Sequence, residues 1–163
     1  MKKIYLNGKN GEGKYALVDD KDFLELSNYQ WYLDSNGYPR TPTRDNPDRK
    51  MIMKRIHRMI IKPKSKKEII DHINGNLLDN RRANLRIVND QQSSFNRGLE
   101  IRNKSGFKGV AWNNQRNKWQ AKIEINDKKI YLGFFYDKQE AALAYNEAAQ
   151  KYFGEFARLN DIR

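Results

Sequence analysis

Residues 69–86, IIDHINGNLLDNRRANLR, are the stretch from which the rest of the chain can be interpreted. Asp71 and His72 end an apolar run and are followed by a polar turn. Asn84 lies near the end of the arginine-rich segment that comes next. An acid, a base and several basic side chains therefore lie close together in the chain. This grouping suits metal-assisted chemistry on a phosphate better than it suits a hydrophobic core.

The same stretch and the residues after it predict the order strand, loop, strand, helix. A short helix at residues 79–83 is expected to point Arg81 and Arg82 outward. Asn89 is a good N-cap for the last helix, because Asn side chains accept hydrogen bonds from the first N–H groups of a helix. The four predicted elements are residues 68–72, 73–84, 85–88 and 90–98.

This arrangement predicts a metal site next to a base. Asp71 and His72 would face a helix surface on which Ser93 and Asn96, three residues apart, share one side. Oxygen ligands beside an imidazole suit a hard ion such as Mg²⁺. A metal there could stabilise charge on a phosphate while neutral His72 takes a proton from water.

Two runs, DHINGN at residues 71–76 and DNRRANLR at residues 79–86, resemble the HNH nucleases with a ββα-metal fold, in the subgroup of phage and intron homing endonucleases. The pair His57-Arg58 also resembles that subgroup. The resemblance implies that His72 is the general base and that Asp71 is a metal ligand. It also implies that Asn84 holds the hairpin loop and that the cofactor is Mg²⁺ or another divalent cation such as Mn²⁺.

The third signature position of that family, usually Asn or His on the helix, departs from the pattern. The aligned residue is Ser93, and Asn96 follows one turn later. A serine hydroxyl is neutral and is a weaker metal ligand. Either Asn96 or water completes the metal site, or metal binding and turnover are weakened.

The positive charge of the chain is concentrated around this motif. The formal net charge is +12, and residues 51–104 carry 13 Lys and Arg against 5 Asp and Glu (+8), whereas residues 1–50 carry 9 against 8 (+1). Such a field favours a polyanion and predicts double-stranded DNA as the partner. A membrane is not predicted, because no amphipathic basic helix is found. The DNA-contacting candidates near the motif are His57, Arg58, Arg81, Arg82 and Arg86; for His57, a ring packed beneath the site is an equal alternative.

Composition limits the remaining possibilities. The chain has no cysteine, which excludes disulfides and thiolate zinc sites. No apolar run approaches the roughly 20 residues that span a bilayer. A soluble, intracellular protein of a bacterial or phage-infected cytoplasm is expected.

A second pattern follows the polar residues 103–105. It predicts three strands and then a helix with many alanines, which suits close packing on a sheet. In the middle strand, alternation puts Trp119 and Ile123 on one face and Lys118 and Lys122 on the other. The predicted strands are residues 107–112, 118–125 and 129–135, and the predicted helix is residues 138–153.

This C-terminal pattern resembles the plant Apetala/ethylene-response-factor DNA-binding domain. The runs that carry the resemblance are FKGV (107–110), KWQAKI (118–123), YLGFF (131–135) and AALAY (141–145). The resemblance implies that strand side chains read the major groove. The implied DNA-contacting residues are Lys108, Trp112, Arg116, Lys118, Trp119 and Lys122.

The sequence therefore predicts an α+β protein with two domains. Residues 1–102 would hold a small N-terminal sheet and a ββα-metal nuclease module with its core at 54–98. Residues 103–163 would form a three-stranded antiparallel sheet packed on one helix. The predicted function is site-specific cleavage of DNA, with a dimer possible if both strands are cut; the alternative is a DNA-binding regulator with lost or weak cleavage.

Overall fold

The computed structural model describes residues 1–44, 50–99 and 102–162. It divides the chain into two compact units, Met1–Asn89 and Asp90–Arg163, termed here the first unit and the second unit. Both contain short helices and small antiparallel sheets. The predicted α+β class is confirmed.

The described part of the first unit contains seven strands in three antiparallel sheets, with the orders β1-β2, β3-β4-β5 and β6-β7. Its helices are α1 (Asp20–Leu26), α2 (Ile56–Ile61) and a single 3-10 turn at Arg82–Asn84. The strands are β1 (Lys2–Tyr5), β2 (Tyr15–Val18), β3 (Tyr32–Leu33), β4 (Pro39–Thr43), β5 (Ile52–Arg55), β6 (Ile69–His72) and β7 (Leu85–Val88).

One hydrophobic core joins the sheets of the first unit. Trp31 is fully buried and its indole Nε1–H donates to the Leu26 carbonyl at 2.8 Å, so its polar atom is satisfied inside the core. Val18, Ile56 and Ile70 belong to the same cluster of buried residues. The N-terminal segment and the motif strands therefore fold as one body.

Two local predictions in the motif region are wrong. Residues 79–83 do not form a helix; the turn is a 3-10 turn at Arg82–Asn84, because side chains of the loop bond its backbone. The helix predicted over residues 90–98 is shorter and ends at Phe95. It ends there because the Arg97 N–H bonds the Ser94 carbonyl, three residues back, which tightens the last turn.

The second unit begins with α3 (Asp90–Phe95), followed by a three-stranded antiparallel sheet and the long helix α4 (Lys138–Phe153). The order in the sheet is β10-β9-β8. Asp137 caps α4 by accepting hydrogen bonds from the N–H groups of Gln139 and Glu140. The strands are β8 (Val110–Asn113), β9 (Lys118–Ile125) and β10 (Lys128–Phe135).

Small residues let α4 lie close to this sheet, as predicted. Ala141, Ala142 and Ala149 are fully buried. On the strand side, Gly109 has φ +74°, and a Cβ there would lie 2.1 Å from Cδ2 of Tyr145. Glycine is therefore required at this position by both the backbone conformation and the helix contact.

Helix α3 packs within the second unit. The Phe95 ring stacks on Phe153 of α4, with centroids 3.8 Å apart and planes 11° apart. The compact units accordingly divide after Asn89, earlier than the predicted domain boundary between residues 102 and 103. Because β6 and β7 lie in the first unit and α3 in the second, the ββα-metal arrangement stays a prediction.

Candidate active site

Asn84 closes the loop between β6 and β7. Its side-chain oxygen accepts the Asn74 N–H at 3.0 Å, and its Nδ2 donates to Asn74 Oδ1 at 3.0 Å and to the Asp79 carbonyl at 2.7 Å. The Asn84 carbonyl also accepts the Ile73 N–H at 2.9 Å. One buried side chain thus joins the two ends and the middle of the loop.

Asp79 organises the middle of the loop. Its side chain is 3% exposed and accepts hydrogen bonds from Asn74 Nδ2 at 2.9 Å and from Arg81 Nε and Nη2 at 2.7 and 2.6 Å. The Arg81 hydrogen bonds hold the pKa of Asp79 below its usual range, against the opposing effect of burial. The charged pair keeps the loop in one conformation.

The N-terminal segment supports the loop from its other side. The Leu17 N–H donates to the Leu78 carbonyl and the Asn80 N–H donates to the Leu17 carbonyl, both at 2.8 Å. Arg82 donates from Nε and Nη2 to the two carboxylate oxygens of Asp22 at 2.9 and 2.7 Å. This two-point geometry is the strong form of an arginine–carboxylate pair.

His72 is buried, with 2% exposure, and it points to the inner face of the β6-β7 hairpin. Its Nε2 lies 3.2 Å from Oδ1 of Asn80. Because Asn80 Nδ2 donates to the Leu77 carbonyl at 3.1 Å, the amide oxygen must be the atom that faces His72. The hydrogen of His72 therefore lies on Nε2, and Nδ1 is the basic nitrogen.

Burial lowers the pKa of His72, although the Asn80 hydrogen bond and nearby Asp71 and Asp79 act in the opposite direction. A neutral imidazole at neutral pH is the form that can accept a proton. The lowered pKa therefore favours the neutral form of His72.

His57 lies beneath His72 and supports it. The rings are 5.2 Å apart and nearly perpendicular, and Tyr38 packs against His57 at 5.2 Å. His57 is 4% exposed, and its Nδ1 is buried without a hydrogen-bond partner among the described residues. The predicted DNA contact of His57 is therefore contradicted by burial, and the packed-ring alternative describes it.

Asp71 points away from His72, because neighbouring residues of a strand project to opposite faces. The expectation that both face one helix surface stays a prediction, because α3 belongs to the second unit. Asp71 pairs across the hairpin with Arg86, whose Nε and Nη2 lie 3.2 and 3.0 Å from Oδ2. Both side chains are 14% exposed, which leaves a partly accessible carboxylate.

The ligand type of Asp71 fits a hard divalent cation, which prefers carboxylate and carbonyl oxygens. The other candidate ligands belong to the second unit: Ser93 is half-buried on α3, and Asn96 is buried just after it. Among the residues the structure describes, no group of three His, Asp or Glu side chains could hold a metal.

The arginines predicted to contact DNA in the first unit all have structural partners. Arg81 and Arg82 bind Asp79 and Asp22 rather than projecting freely outward. Arg58 donates to the carbonyls of Glu68 at 3.0 Å and Ser65 at 3.3 Å, and so it binds the loop between α2 and β6. About 40% of the Arg81 and Arg82 side chains is still exposed, so a phosphate contact by these two stays a prediction.

In the second unit, the predicted DNA-contacting residues fall on two faces of the sheet. Lys118 lies 4.1 Å over the Tyr136 ring and Arg116 lies 4.4 Å over the Phe134 ring, with Lys122 also on the face away from α4. Trp119 instead packs on the alanine-rich core and contacts Trp112 edge-on at 5.2 Å.

Lys108 is half-buried at the start of the sheet. Its Nζ donates to the Phe95 carbonyl at 2.5 Å. Burial, with Arg158 and Arg97 nearby, lowers the pKa of Lys108 to about 8. This lysine therefore does not extend from the face away from α4, which carries Lys118 and Lys122.

Sequence reasoning missed Asn80 and Tyr38 as parts of this site. Asn80 lies inside the DNRRANLR run, so its position in the motif was a usable signal. Tyr38 had no such signal, because its contact with His57 joins distant parts of the chain.

In the part of the chain that the structure describes, no helix is long and apolar enough to cross a membrane.

Comparisons with known proteins agree with the motif. A family model described as HNH endonuclease matches residues 56–94. A protein of Acanthamoeba polyphaga mimivirus, named as an uncharacterized HNH endonuclease, is 33% identical over 153 residues, which are 93% of this chain and 78% of that protein.

Two further relatives match over shorter lengths. Protein 3.8 of Escherichia phage T7 is 35% identical over 60 residues, which are 37% of this chain and 50% of that protein. An AP2-like ethylene-responsive transcription factor of Arabidopsis thaliana is 39% identical over 72 residues, 43% of this chain and 12% of that protein. These matches are partial.

Proposed function

The chain belongs to the HNH endonucleases, and we propose that it is a site-specific enzyme of the homing type that hydrolyses phosphodiester bonds in duplex DNA with His72 as the general base. The observation that carries the proposal is the buried imidazole of His72, which Asn80 orients. Asn80 fixes its tautomer at 3.2 Å, and the adjoining loop is closed by Asn84. A base needs this combination of geometry and charge state.

The chemistry assigned to these residues is simple. His72 Nδ1 takes a proton from a water molecule, whose oxygen forms a new bond to phosphorus. The bond between phosphorus and the 3′ oxygen breaks, and a proton from solvent completes the new hydroxyl. The products are a 5′ phosphate and a 3′ hydroxyl, and a single site per chain makes a nick the minimal product.

Asp71, together with Ser93 or Asn96, would hold the divalent cation, Mg²⁺ or Mn²⁺. When bound, such an ion supplies positive charge for the phosphate and for the leaving oxygen. Arg86 lies 3.0 Å from Asp71 and restricts the carboxylate to one orientation. The family and the ligand type support this assignment.

Residues 103–163 are proposed to be an Apetala/ethylene-response-factor-like domain that positions the enzyme on duplex DNA. The partial match to the Arabidopsis protein and the basic sheet face with Lys118 and Lys122 support this role. Trp119 would contribute through the core of the domain. Cutting both strands would require a second protomer or a second event.

The direct test exposes a library of random duplexes to the protein with Mg²⁺, with Mn²⁺ and with EDTA. Nicks are captured by ligation to their 5′ phosphates and sequenced. We expect metal-dependent nicks that share a sequence. Nicks that persist in EDTA, or their complete absence with both metals, would reject the proposed chemistry.

A DNA-binding regulator with lost or weak cleavage is the second candidate, and Ser93 favours it, since a neutral hydroxyl is a poor replacement for the usual ligand. The same library of duplexes distinguishes the nuclease from the regulator. Sequence-selective binding without nicks would support the regulator.

We expect Ser93→Asn to raise the nicking rate or to lower the Mg²⁺ concentration needed for half-maximal rate, because an amide oxygen is a better ligand for a hard ion. Metal titrations of the nicking rate measure this effect. Ser94→Asn is the matched control, since Ser94 is the next helical residue and its hydroxyl donates to the Gln91 carbonyl at 2.7 Å. If Ser93→Asn changes nothing while Asn96→Ala abolishes nicking, the ligand is Asn96.

A further inference from the structure

Three cations of the second unit converge on the chain segment 95–98. Lys108 Nζ donates to the Phe95 carbonyl at 2.5 Å. Arg97 belongs to the segment itself. The Arg158 guanidinium lies over Gly98, where an added Cβ would meet Nη1 at 3.5 Å.

None of the three cations is paired with a carboxylate among the described residues: neither Arg97, Lys108 nor Arg158 has an ion pair or a hydrogen bond to one. The two arginines repel the Lys108 ammonium strongly enough to contribute to its lowered pKa. Like charges held together in this way are a cost that an anion would relieve.

The cluster also has room for a ligand. A cleft of about 240 Å³ is lined by Gly98, Lys108, Arg158 and Asn160, with Asp161 on its wall. Arg97 lines a second cleft, which shares Gly98 and Lys108 with the first. Asn160 is held in place, because its Oδ1 accepts the Lys108 N–H at 2.6 Å and its Nδ2 donates to the Lys108 carbonyl at 3.1 Å. The cleft is therefore preformed on fixed backbone.

We infer that Arg97, Lys108 and Arg158 form a seat for one phosphate of the DNA backbone. Guanidinium groups bind phosphate oxygens through paired N–H donors, and an ammonium adds a point charge. The seat lies at the start of the sheet, apart from the face that carries Lys118. It would fix the register of the domain on DNA without reading sequence.

This inference rests on the proposed function, because it takes duplex DNA as the ligand. The test measures binding of a fluorescent duplex by anisotropy across a range of salt concentrations, in EDTA so that cleavage plays no part. The variant is Arg97→Gln/Arg158→Gln. The matched control is Lys138→Gln/Lys151→Gln, which removes the same charge from exposed lysines of α4.

Removing one phosphate contact should lower the slope of log affinity against log salt by about 0.9 and weaken binding by about tenfold for all sequences. The control should keep the wild-type slope. Equal slopes for both double variants would overturn the phosphate seat, since only bulk charge would then matter. If wild-type protein binds no duplex at all, the proposed DNA function fails together with the seat.

Discussion

Replacing His72 with glutamine should lower the nicking rate by about 10²- to 10⁴-fold, the usual contribution of a general base. Glutamine can still donate from its side-chain nitrogen to Asn80 Oδ1, so the hydrogen bond seen at 3.2 Å is kept. It offers no nitrogen that can accept a proton at neutral pH. The loss should therefore appear in kcat, with duplex affinity in EDTA unchanged.

A second variant separates lost chemistry from lost structure. His72→Ala leaves a cavity of the shape of an imidazole, because the side chain is buried. Added imidazole should restore part of the nicking rate of His72→Ala and none of the rate of His72→Gln, whose side chain fills the space. Wild-type kcat in His72→Gln would show that another group is the base.

The second large effect concerns His57 and acid stability. Burial lowers the pKa of His57 to about 3 from its usual 6.5, with additional effects of His72, Arg55 and Arg58. Between these two values the unfolded chain binds a proton that the folded chain does not. The free energy of unfolding therefore falls as the pH falls, by up to about 1.4 kcal/mol per pH unit and by about 2.3 kcal/mol from pH 6.5 to pH 4.5.

His57→Phe should remove this loss, because phenylalanine does not titrate and keeps the ring contacts with Tyr38 and His72. It also removes the buried Nδ1, which has no partner among the described residues. Relative to wild type, the free energy of unfolding of the variant should rise by about 2.3 kcal/mol between pH 6.5 and pH 4.5.

Urea unfolding at the two pH values measures this difference. The indole N–H resonance of Trp31 can follow it, since Trp31 is the tryptophan of the first unit and donates to Leu26. If the free energies of unfolding of variant and wild type differ by the same amount at both pH values, the lowered pKa of His57 is contradicted.

The local elements were predictable because their signals are local. Alternation in KWQAKIEI indicates a strand with buried Ala121 and Ile123, and the structure has both in β9. The alanines at 141, 142 and 149 indicate a helix packed tightly on a sheet, which α4 confirms. The paired runs DHINGN and DNRRANLR indicate a nuclease family, which the comparisons confirm.

Partners that are distant in the chain were not predictable in this way. Arg82 looked like a free DNA contact, but it binds Asp22, 60 residues earlier. Nothing in the sequence indicated that the Phe95 ring stacks on Phe153. In both cases the contact is formed by packing between segments that are distant in the chain. Local sequence patterns do not indicate such contacts.

The sequence by itself determined the nuclease family and the α+β class, and it predicts Asp71 as a metal ligand and His72 as the base. Only the tertiary structure decided the surroundings of His72: Oδ1 of Asn80 lies 3.2 Å from its Nε2, and the His57 ring packs beneath it. The physical reason is burial. A pKa and a tautomer depend on which atoms replace water around a ring. The folded chain supplies those atoms from Tyr38 just before β4, from α2 and from the loop after β6.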